Sequence, residues 1–430
     1  MGEGTKNRQG ISNCPKEDDR RLRMAIGWSG RMLWLSFITG LVAGTISGIT
    51  PGLHVNLVAA IAASSKEALG SWFSGFDLAV FIVVMATAHT FLDVIPSIFL
   101  GSPSEAYAVA VLPGHRLLRQ GAGFEAVRLA TAGSLIAGAV AIGISPLLWF
   151  VVPAISRMLL PWTPWLVALV MAAIILREKG CMGKCKGAVL FGIAGFLGYL
   201  VLDQLALQDP LMPLLSGLFG ASSLILALGE ESCIPPQFVT ECISIPPIKQ
   251  AVLVSCAVFS GWIVSLLPGV GAGQAAMVST IMLPTLLPGE YLYLVGGIGT
   301  VNFLMAIITA ATIGKARNGA VVSVLEIIPK IDFRNAVILS ASALAGAGLS
   351  ALIALCIARI AVKAISKVPY KISCITVLAV VTLAVVWRSG IIGLVVYATG
   401  AGLGILCNTS RVSRSSLMAC LIVPVIVHYI

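Results

Sequence analysis

The apolar segment from Gly40 to Ser64 constrains the fold of this chain most, because Pro51 and Gly52 interrupt it at its centre. Proline lacks a backbone donor and glycine frees the dihedral angles, so an unbroken helix is costly there. In a bilayer, non-helical backbone is tolerated only where protein or a water-filled cavity surrounds it. The polar residues His54 and Asn56 follow the break directly. The segment therefore predicts a broken or re-entrant helix facing the protein interior.

The composition identifies the class of protein in which such a segment occurs. The chain has 430 residues, of which 58% are hydrophobic and 11% charged, and its mean hydropathy is +0.99. Soluble domains carry about 25% charged residues and about 45–50% apolar ones. At about 20 residues per crossing, we expect an all-α polytopic membrane protein with roughly ten to twelve transmembrane segments.

The basic residues predict which parts of the chain face the cytosol. They border apolar runs, as in cytoplasmic loops, so we expect no nucleic-acid partner. Residues 1–31 form a basic stretch without a convincing cleavage site, and we interpret it as a cytosolic tail. The basic clusters at 115–119, 177–186, 363–371 and 411–414 are further cytosolic markers. We expect a multi-pass protein of the cell membrane with a cytoplasmic N-terminus.

A second Pro-Gly break lies in the apolar segment from Ser260 to Thr280, and the two halves of the chain can be aligned around the breaks. Thr50–Leu53 matches Leu267–Val270, and Leu100–Val111 matches Ile313–Val324. Between these matches, polar residues of the first half lie opposite small and polar residues of the second: His89, Thr90 and Asp93 opposite Gly299, Thr300 and Asn302. The alignment predicts two related repeats.

An inverted relation between the repeats requires an odd number of crossings in the first one. Six apolar runs precede residue 230, so one of them would have to re-enter the membrane on the side from which it came. The expected organisation has four parts: a basic tail (1–31), a first membrane repeat (32–229), a connecting loop (230–249) and a second membrane repeat (250–430).

Several distinctive motifs are spread over both halves of the chain. They are ITPGLHVN (49–56), LGSPSEAYAVAVLPGHRLLRQGAGFEAVRLATAGS (100–134), LLPGVGAGQAA (266–276), GGIGTVNF (296–303) and GKARNGA (314–320). In these motifs the chain resembles the large membrane subunit of tripartite tricarboxylate transporters, above all its archaeal single-chain relatives. The resemblance implies a permease of two related halves, to which a periplasmic binding protein delivers substrate and in which an ion gradient drives uptake. His54 stands where small residues are usual, and nothing in the chain indicates a binding-protein partner.

The two breaks predict a substrate site. The second half of a broken helix presents unpaired amides and the positive end of a dipole, which suit an anion. Matched interrupted segments in two halves are typical of a transporter site at the repeat interface. The alternative is a pair of simple proline kinks. The predicted substrate-binding residues are Pro51, Gly52, His54, Asn56, Ser102, Pro268, Gly269, Gly271, Gln274, Thr300 and Asn302.

His89 and Asp93 lie one helical turn apart within an apolar run. Ionisable residues at membrane depth are costly and are functional candidates by default. We predict that His89, Thr90 and Asp93 couple transport to a proton or cation, with Asp93 as the titrating group. The alternative is a structural hydrogen-bonded pair between helices. We expect no metal site, and no cofactor beyond a transported sodium ion or proton.

These features favour a secondary transporter of a small organic anion, expected to be a carboxylate, that works by alternating access at the repeat interface. The alternative is a translocase of an anionic lipid carrier such as a polyprenyl phosphate, which Lys315 and Arg317 would assist. A third hypothesis, an intramembrane hydrolase using Ser47, His89 or Asp93, requires two catalytic groups within hydrogen-bond reach. H-E-x-x-H, Walker A and G-x-G-x-x-G motifs are absent from the sequence, so we expect no enzyme. The expected partners are the anionic substrate and the lipid bilayer, with a homodimer left open.

Overall fold

The computed structural model of the chain describes residues 15–50, 55–69, 73–100, 111–162, 165, 168–169, 172, 175–176, 178, 180–207, 210–228, 235–239, 243–267, 271–283, 285–316, 318–365 and 370–429. All regular structure in these ranges is helical, which confirms the all-α prediction. The first half contains α1 (Pro15–Ile49), α2 (Val55–Ser64), α3 (Gly75–Leu92), α4 (Val94–Phe99), α5 (Val111–Arg119), α6 (Gly123–Leu159), α7 (Gly180–Tyr199), α8 (Leu211–Leu215) and α9 (Ser222–Leu228). The second half contains α10 (Pro247–Leu266), α11 (Ala272–Met282), α12 (Pro288–Ile313), α13 (Gly319–Ile327), α14 (Phe333–Ile365), α15 (Tyr370–Thr409) and α16 (Ala419–Tyr429).

Eight helices in the described ranges are long and apolar enough to cross a membrane, which confirms a multi-pass membrane protein. They are Met32–Ile49, Gly75–Phe99, Gly123–Leu159, Gly180–Gln204, Pro247–Leu266, Pro288–Ile313, Phe333–Ala364 and Cys374–Thr409. Two shorter apolar helices cover Leu211–Leu226 and Ser416–His428. Helix α15 leaves helical geometry at Gly390, where φ is 63°, so its two arms are each close to membrane length. The number of crossings stays a prediction.

The helices form two bundles with separate hydrophobic cores. The main bundle contains α1 to α6 and α10 to α14, and the second bundle contains α7 to α9, α15 and α16. In the described ranges, no helix of one bundle packs extensively against a helix of the other. Leu100, which follows α4, contacts both cores.

Glycines seat α1 closely against α3. A Cβ atom at Gly44 would lie 2.3 Å from the carbonyl oxygen of Met85, and one at Gly48 would lie 2.6 Å from the Cβ of Leu92. Gly40 contacts α3 one turn earlier, so the three glycines repeat every four residues along one face. Small residues at this spacing let two membrane helices approach closely. The contacts advance together along both helices, so α1 and α3 run in the same direction.

The chain therefore reverses twice between α1 and α3. Lys66, which follows α2, donates from Nζ to the carbonyl oxygen of Ile327 at 3.0 Å. The side chain of Ile327 lies beside Gly75, the first residue of α3. Helix α2 thus returns to the end of the bundle at which α3 begins, and it runs opposite to α1.

Helices α10 and α11 form a second hairpin. The hydroxyl of Ser279 donates to that of Ser260 at 2.8 Å, and these residues are nearly equidistant from the second Pro-Gly break. Each break therefore lies between two helices of opposite direction. The breaks themselves fall outside the described residues, and membrane re-entry stays a prediction.

The long helices α6 and α14 are antiparallel. The guanidinium carbon of Arg359 lies 5.8 Å from the ring centroid of Phe124, and the ring centroids of Trp149 and Phe333 are 5.1 Å apart. Helix α12 runs parallel to α6 along their glycine-rich interface. Helix α3 begins beside the end of α13, where α14 also begins. The central helices α3 and α12 consequently point in opposite directions, as the predicted inverted relation requires, although that relation stays a prediction.

The basic regions predicted to be cytosolic do not share one end of the molecule. Phe99, beyond the end of α3, lies against Gly123 at the start of α6. The basic cluster at 115–119 therefore lies at the opposite end of the bundle from the start of α1. The two predictions, that residues 1–31 are cytosolic and that the cluster at 115–119 is cytosolic, therefore cannot both be correct. The physical reason is the additional reversal of the chain at α2, which hydropathy does not reveal.

The connecting loop is anchored to the main bundle. Gln237 accepts from the backbone N–H of Gly123 at 2.9 Å and donates to the carbonyl oxygen of Leu118 at 2.9 Å. It thereby satisfies the start of α6 and the end of α5 with one side chain. Ser244 donates to the Glu125 carboxylate at 3.0 Å, and Glu125 also pairs with Arg128. The domain boundaries stay predictions.

Candidate functional site

Helices α3 and α12 form the centre of the main bundle and carry most of the described candidate residues. The membrane-spanning windows of both are 89% buried. An Asp77–Ser74 capping box begins α3, and Glu290 at the corresponding position of α12 accepts from the backbone of Leu287 and pairs with Lys249. The N-terminal end of each of these two helices is thus stabilised by an acidic side chain in its first turn.

His89 lies at the interface of α3 and α1 and contacts Ser47. The Ser47 hydroxyl and Nδ1 of His89 are 3.0 Å apart and share a hydrogen bond whose donor depends on the imidazole tautomer. Gly48 brings the α1 backbone against the backbone of His89, and Ser47 also lies 3.2 Å from the carbonyl oxygen of Gly44. His89 is therefore held beside the end of α1, immediately before the first break.

Asp93 lies one turn beyond His89, between α3 and α4. Its backbone N–H donates to the carbonyl oxygen of His89 at 2.9 Å, and its own carbonyl accepts from the hydroxyl of Ser97 at 2.8 Å. Both ionisable side chains are 8% exposed. Ser47 and His89 are thus in direct contact, and Asp93 is buried one helical turn beyond them on α3.

Thr90 and Asn302 are the partly exposed residues within the buried centres of α3 and α12. Residues 82–89 and 91–99 are all buried, and so are 290–301 and 303–310. One polar side chain thus retains solvent exposure near the middle of each central helix.

Asn56 connects the first hairpin to the second half of the chain. A Cβ atom at Gly319, the first residue of α13, would lie 2.5 Å from the Cγ of Asn56. Lys66 and Ile327 meet at the other ends of these segments, so α2 and α13 are parallel and their N-terminal ends are adjacent. Asn318 caps α13 by accepting from the backbone N–H of Ala320 at 3.0 Å. Two helix N-termini therefore lie side by side at Asn56, an arrangement that favours negative charge.

Thr300 does not join this group. Its methyl carbon would lie 3.0 Å from a Cβ atom at Gly138, so it occupies the interface with α6. Its buried hydroxyl has no hydrogen-bond partner among the described residues. Gly271 accepts from the backbone N–H of Ala275 at 3.2 Å at the start of α11. The side chain of Gln274 lies outside the described part of the structure. The other predicted substrate residues lie outside it entirely, and these are Pro51, Gly52, His54, Ser102, Pro268 and Gly269.

The structure adds residues that the sequence analysis did not place in the site. From the sequence, Gly319 was included only within the motif GKARNGA (314–320), and Ser47 only as a candidate for hydrolysis. The starts of α3 and α12, and Asp77 and Glu290 within them, are separated by 213 residues. At that spacing His89 lies opposite Asn302, whereas the sequence alignment set it opposite Gly299. The acidic residue in the first turn of each helix is a sequence signal that favours this second alignment, and both alignments stay predictions.

The comparisons with known proteins identify the family of the chain. The chain matches the tripartite tricarboxylate transporter TctA family over residues 34–419. The chain belongs to this family. An uncharacterized protein of Methanocaldococcus jannaschii is 25% identical over 401 residues, which cover 92% of this chain and 98% of that protein. No solved structure matches the chain.

Membership confirms the resemblance seen in the motifs. The TctA family is a family of transporters, and its description as tripartite implies further subunits. The chain is thus a multi-pass membrane protein of a transporter family.

Proposed function

We propose that this chain is a secondary transporter that carries a small organic anion, in the first place a carboxylate, and couples its movement to protons or sodium ions. The proposal rests on one observation above all: Asn56, just after the first break, contacts the start of α13 in the other half of the chain. Substrate bound there touches both halves and can respond to movement between them.

The chemistry of this place suits an anion. The first amides of α2 and α13 have no partner within their own helices, and the two dipoles add because the helices are parallel. Asn56 supplies an amide that donates to a carboxylate oxygen. Lys315 lies in the exposed turn between α12 and α13, where it raises the local concentration of anions.

The coupling ion is proposed to bind near His89 and Asp93. Between Asp77 and Leu100, these are the ionisable residues of the first central helix, and both are buried. The Ser47–His89 hydrogen bond joins the first hairpin to α3. A change in the charge of His89 therefore acts on the arm that carries the first break. Thr90, partly exposed one residue further on, gives the pair a route to water.

Uptake into proteoliposomes tests the proposal. The full chain is reconstituted and supplied with radiolabelled dicarboxylates and tricarboxylates under an imposed pH or sodium gradient. Accumulation that requires one gradient, and disappears when an ionophore for that ion dissipates it, supports secondary transport and identifies the ion. No movement of any organic anion under either gradient contradicts it, whereas flip of a polyprenyl phosphate analogue in the same vesicles would favour the lipid-carrier alternative.

An Asn56→Asp substitution tests the location of the site. The added carboxylate repels an anion, so we expect the apparent KM to rise at least about tenfold, since each tenfold change corresponds to about 1.4 kcal/mol. Asn335→Asp, at the start of α14 beside Asp332, is the matched control. An unchanged KM in Asn56→Asp would remove the site from the junction of α2 and α13.

The distance criterion for a hydrolase is also met, because Ser47 lies within hydrogen-bond reach of His89. Ser47 is 1% exposed and lies between two closely packed helices, so a substrate could reach it only if α1 and α3 separated. A serine-reactive fluorophosphonate probe distinguishes a hydrolase from a transporter. Labelling of the wild type that is lost in Ser47→Ala would favour hydrolysis.

A further inference from the structure

Arg414 holds a charge at the place where the second bundle adjoins the main bundle. It begins the short helical turn Arg414–Met418 between α15 and α16, outside the membrane-spanning segments. Its Nε donates to Oδ1 of Asn408 at 3.1 Å, and its Nη1 donates to the hydroxyl of Ser223 at 2.6 Å. Both acceptors are neutral. The orientation of this guanidinium is therefore fixed by three segments of the second bundle, namely its own turn, α15 and α9.

Arg414 makes hydrogen bonds to neutral groups and forms no ion pair among the described residues. The ion pairs within the described residues join Arg128 to Glu125 and Lys249 to Glu290, and neither involves Arg414. Arg414 is half-buried, and this burial lowers the pKa of its guanidinium below its usual range. A partly desolvated guanidinium whose hydrogen bonds go to neutral acceptors gains free energy when an anion binds to its remaining N–H groups.

His115, on α5 of the main bundle, lies close enough to Arg414 to sense its charge. Burial, assisted by Arg414 and Arg119, lowers the pKa of His115 from 6.5 to about 4, so the imidazole is neutral at pH 7 and carries one N–H donor. Its Nε2 is buried and has no hydrogen-bond partner among the described residues. The same is true of Nδ2 of Asn408, whose Oδ1 is occupied by Arg414.

We propose that Arg414, Asn408 and His115 bind an anionic phosphate group at the junction of the two bundles. A guanidinium with free N–H groups, an amide N–H and an imidazole together supply several donors for one tetrahedral anion. Basic pockets between membrane helices, just outside the hydrocarbon region, commonly hold lipid head groups. The site is separate from the junction of α2 and α13, and it does not depend on what the chain transports.

Two sources can supply this chemistry, the head group of an anionic lipid and inorganic phosphate. Native mass spectrometry and thermal unfolding of the purified full chain separate them. The probes are dioleoylphosphatidylglycerol, dioleoylphosphatidylcholine and inorganic phosphate. The decisive variant is Arg414→Gln. The matched control is Arg411→Gln, which removes an equal charge from an exposed residue three positions away.

We expect the wild type and Arg411→Gln to bind the phosphatidylglycerol and to melt at a higher temperature with it. Arg414→Gln should bind it at least about tenfold more weakly, the effect of losing one charged hydrogen bond of about 1.4 kcal/mol or more. If inorganic phosphate alone reproduces the Arg414-dependent shift, the ligand is a soluble anion. Equal binding by Arg414→Gln and Arg411→Gln, or equal stabilisation by phosphatidylcholine, would overturn the proposal.

Two further variants keep the test decisive if Arg414→Gln does not fold. Arg414→Lys retains the charge without the fork, so it should bind the anionic lipid at an intermediate strength. His115→Leu removes a donor and leaves both hydrogen bonds of Arg414 in place, so its binding should also weaken. Wild-type affinity in both variants contradicts the assignment.

Discussion

At the scale of single residues, the packing of glycines and the placement of one histidine join α1 to α3. Gly44 and Gly48 let α1 touch the backbone of α3, and Ser47 between them meets His89. A serine in this position can contact a histidine across the interface because the neighbouring glycines remove the side chains that would separate the helices. The Ser47–His89 contact therefore depends on the glycine packing of α1 against α3.

Substituting Gly44 by alanine should destabilise the protein. The new Cβ would lie 2.3 Å from a backbone oxygen of α3, which cannot yield as a flexible side chain would. We expect a loss of about 1–3 kcal/mol, measured as a lower thermal midpoint in detergent. Gly143→Ala is the control, because nothing lies within 4 Å of that position in α6 and alanine favours a helix. Equal midpoints in the two variants would refute the close contact.

His89→Gln should separate coupling from binding. Glutamine retains a hydrogen-bonding group near Ser47 but carries no titrating charge at physiological pH. We expect substrate exchange between equal concentrations to continue, while accumulation driven by a pH gradient is lost. Thr87→Ser, a conservative change on the same helix, serves as the control. Gradient-driven accumulation in His89→Gln at the wild-type rate would exclude His89 as the coupling group.

At the scale of elements, each Pro-Gly break separates two helices that return on one another. Hydropathy presents the segment around each break as one apolar run, because both arms are apolar. The direction of the second arm depends on contacts that are distant in sequence, such as the Lys66–Ile327 hydrogen bond. The breaks were predicted from local backbone chemistry, whereas the reversal of direction was decided by tertiary packing.

A cross-link tests whether α10 and α11 form one rigid hairpin. In a Cys256→Ser background, Ser260→Cys with Ser279→Cys should form a disulfide under oxidant, since the native hydroxyls are 2.8 Å apart. Peptide mapping detects the linked pair, and we expect transport to persist because the arms move together. Ser255→Cys with Ser279→Cys should stay unlinked, as Ser255 is exposed on another face of α10. Linking of both pairs alike would contradict the hairpin.

At the scale of the whole molecule, the direction of α1 determines which regions can share a side of the membrane. Glu178 accepts from the backbone N–H of Ser413 at 2.8 Å, and Arg414 lies near His115. The start of α7 therefore lies at the same end as α5, opposite to the start of α1. The two bundles are joined there by few contacts, which leaves room for movement between them.

Labelling of single cysteines tests this topology. Cys14 precedes α1, and Cys181 is exposed at the start of α7. With the other cysteines replaced by serine, a membrane-impermeant maleimide should label one of them in right-side-out vesicles and the other in inverted vesicles. Labelling of both from the same side would mean that α1 does not run parallel to α3.

The sequence by itself determined the class of the protein, the two breaks, the motifs shared with the family and the buried ionisable pair. These follow from hydropathy, from proline and glycine chemistry, and from the cost of charge in lipid, all of which are local. Only the tertiary structure decided the direction of α2, the contact of Asn56 with Gly319 and the partner of His89. Those facts depend on which helix faces touch, and here glycines far apart in sequence set the faces.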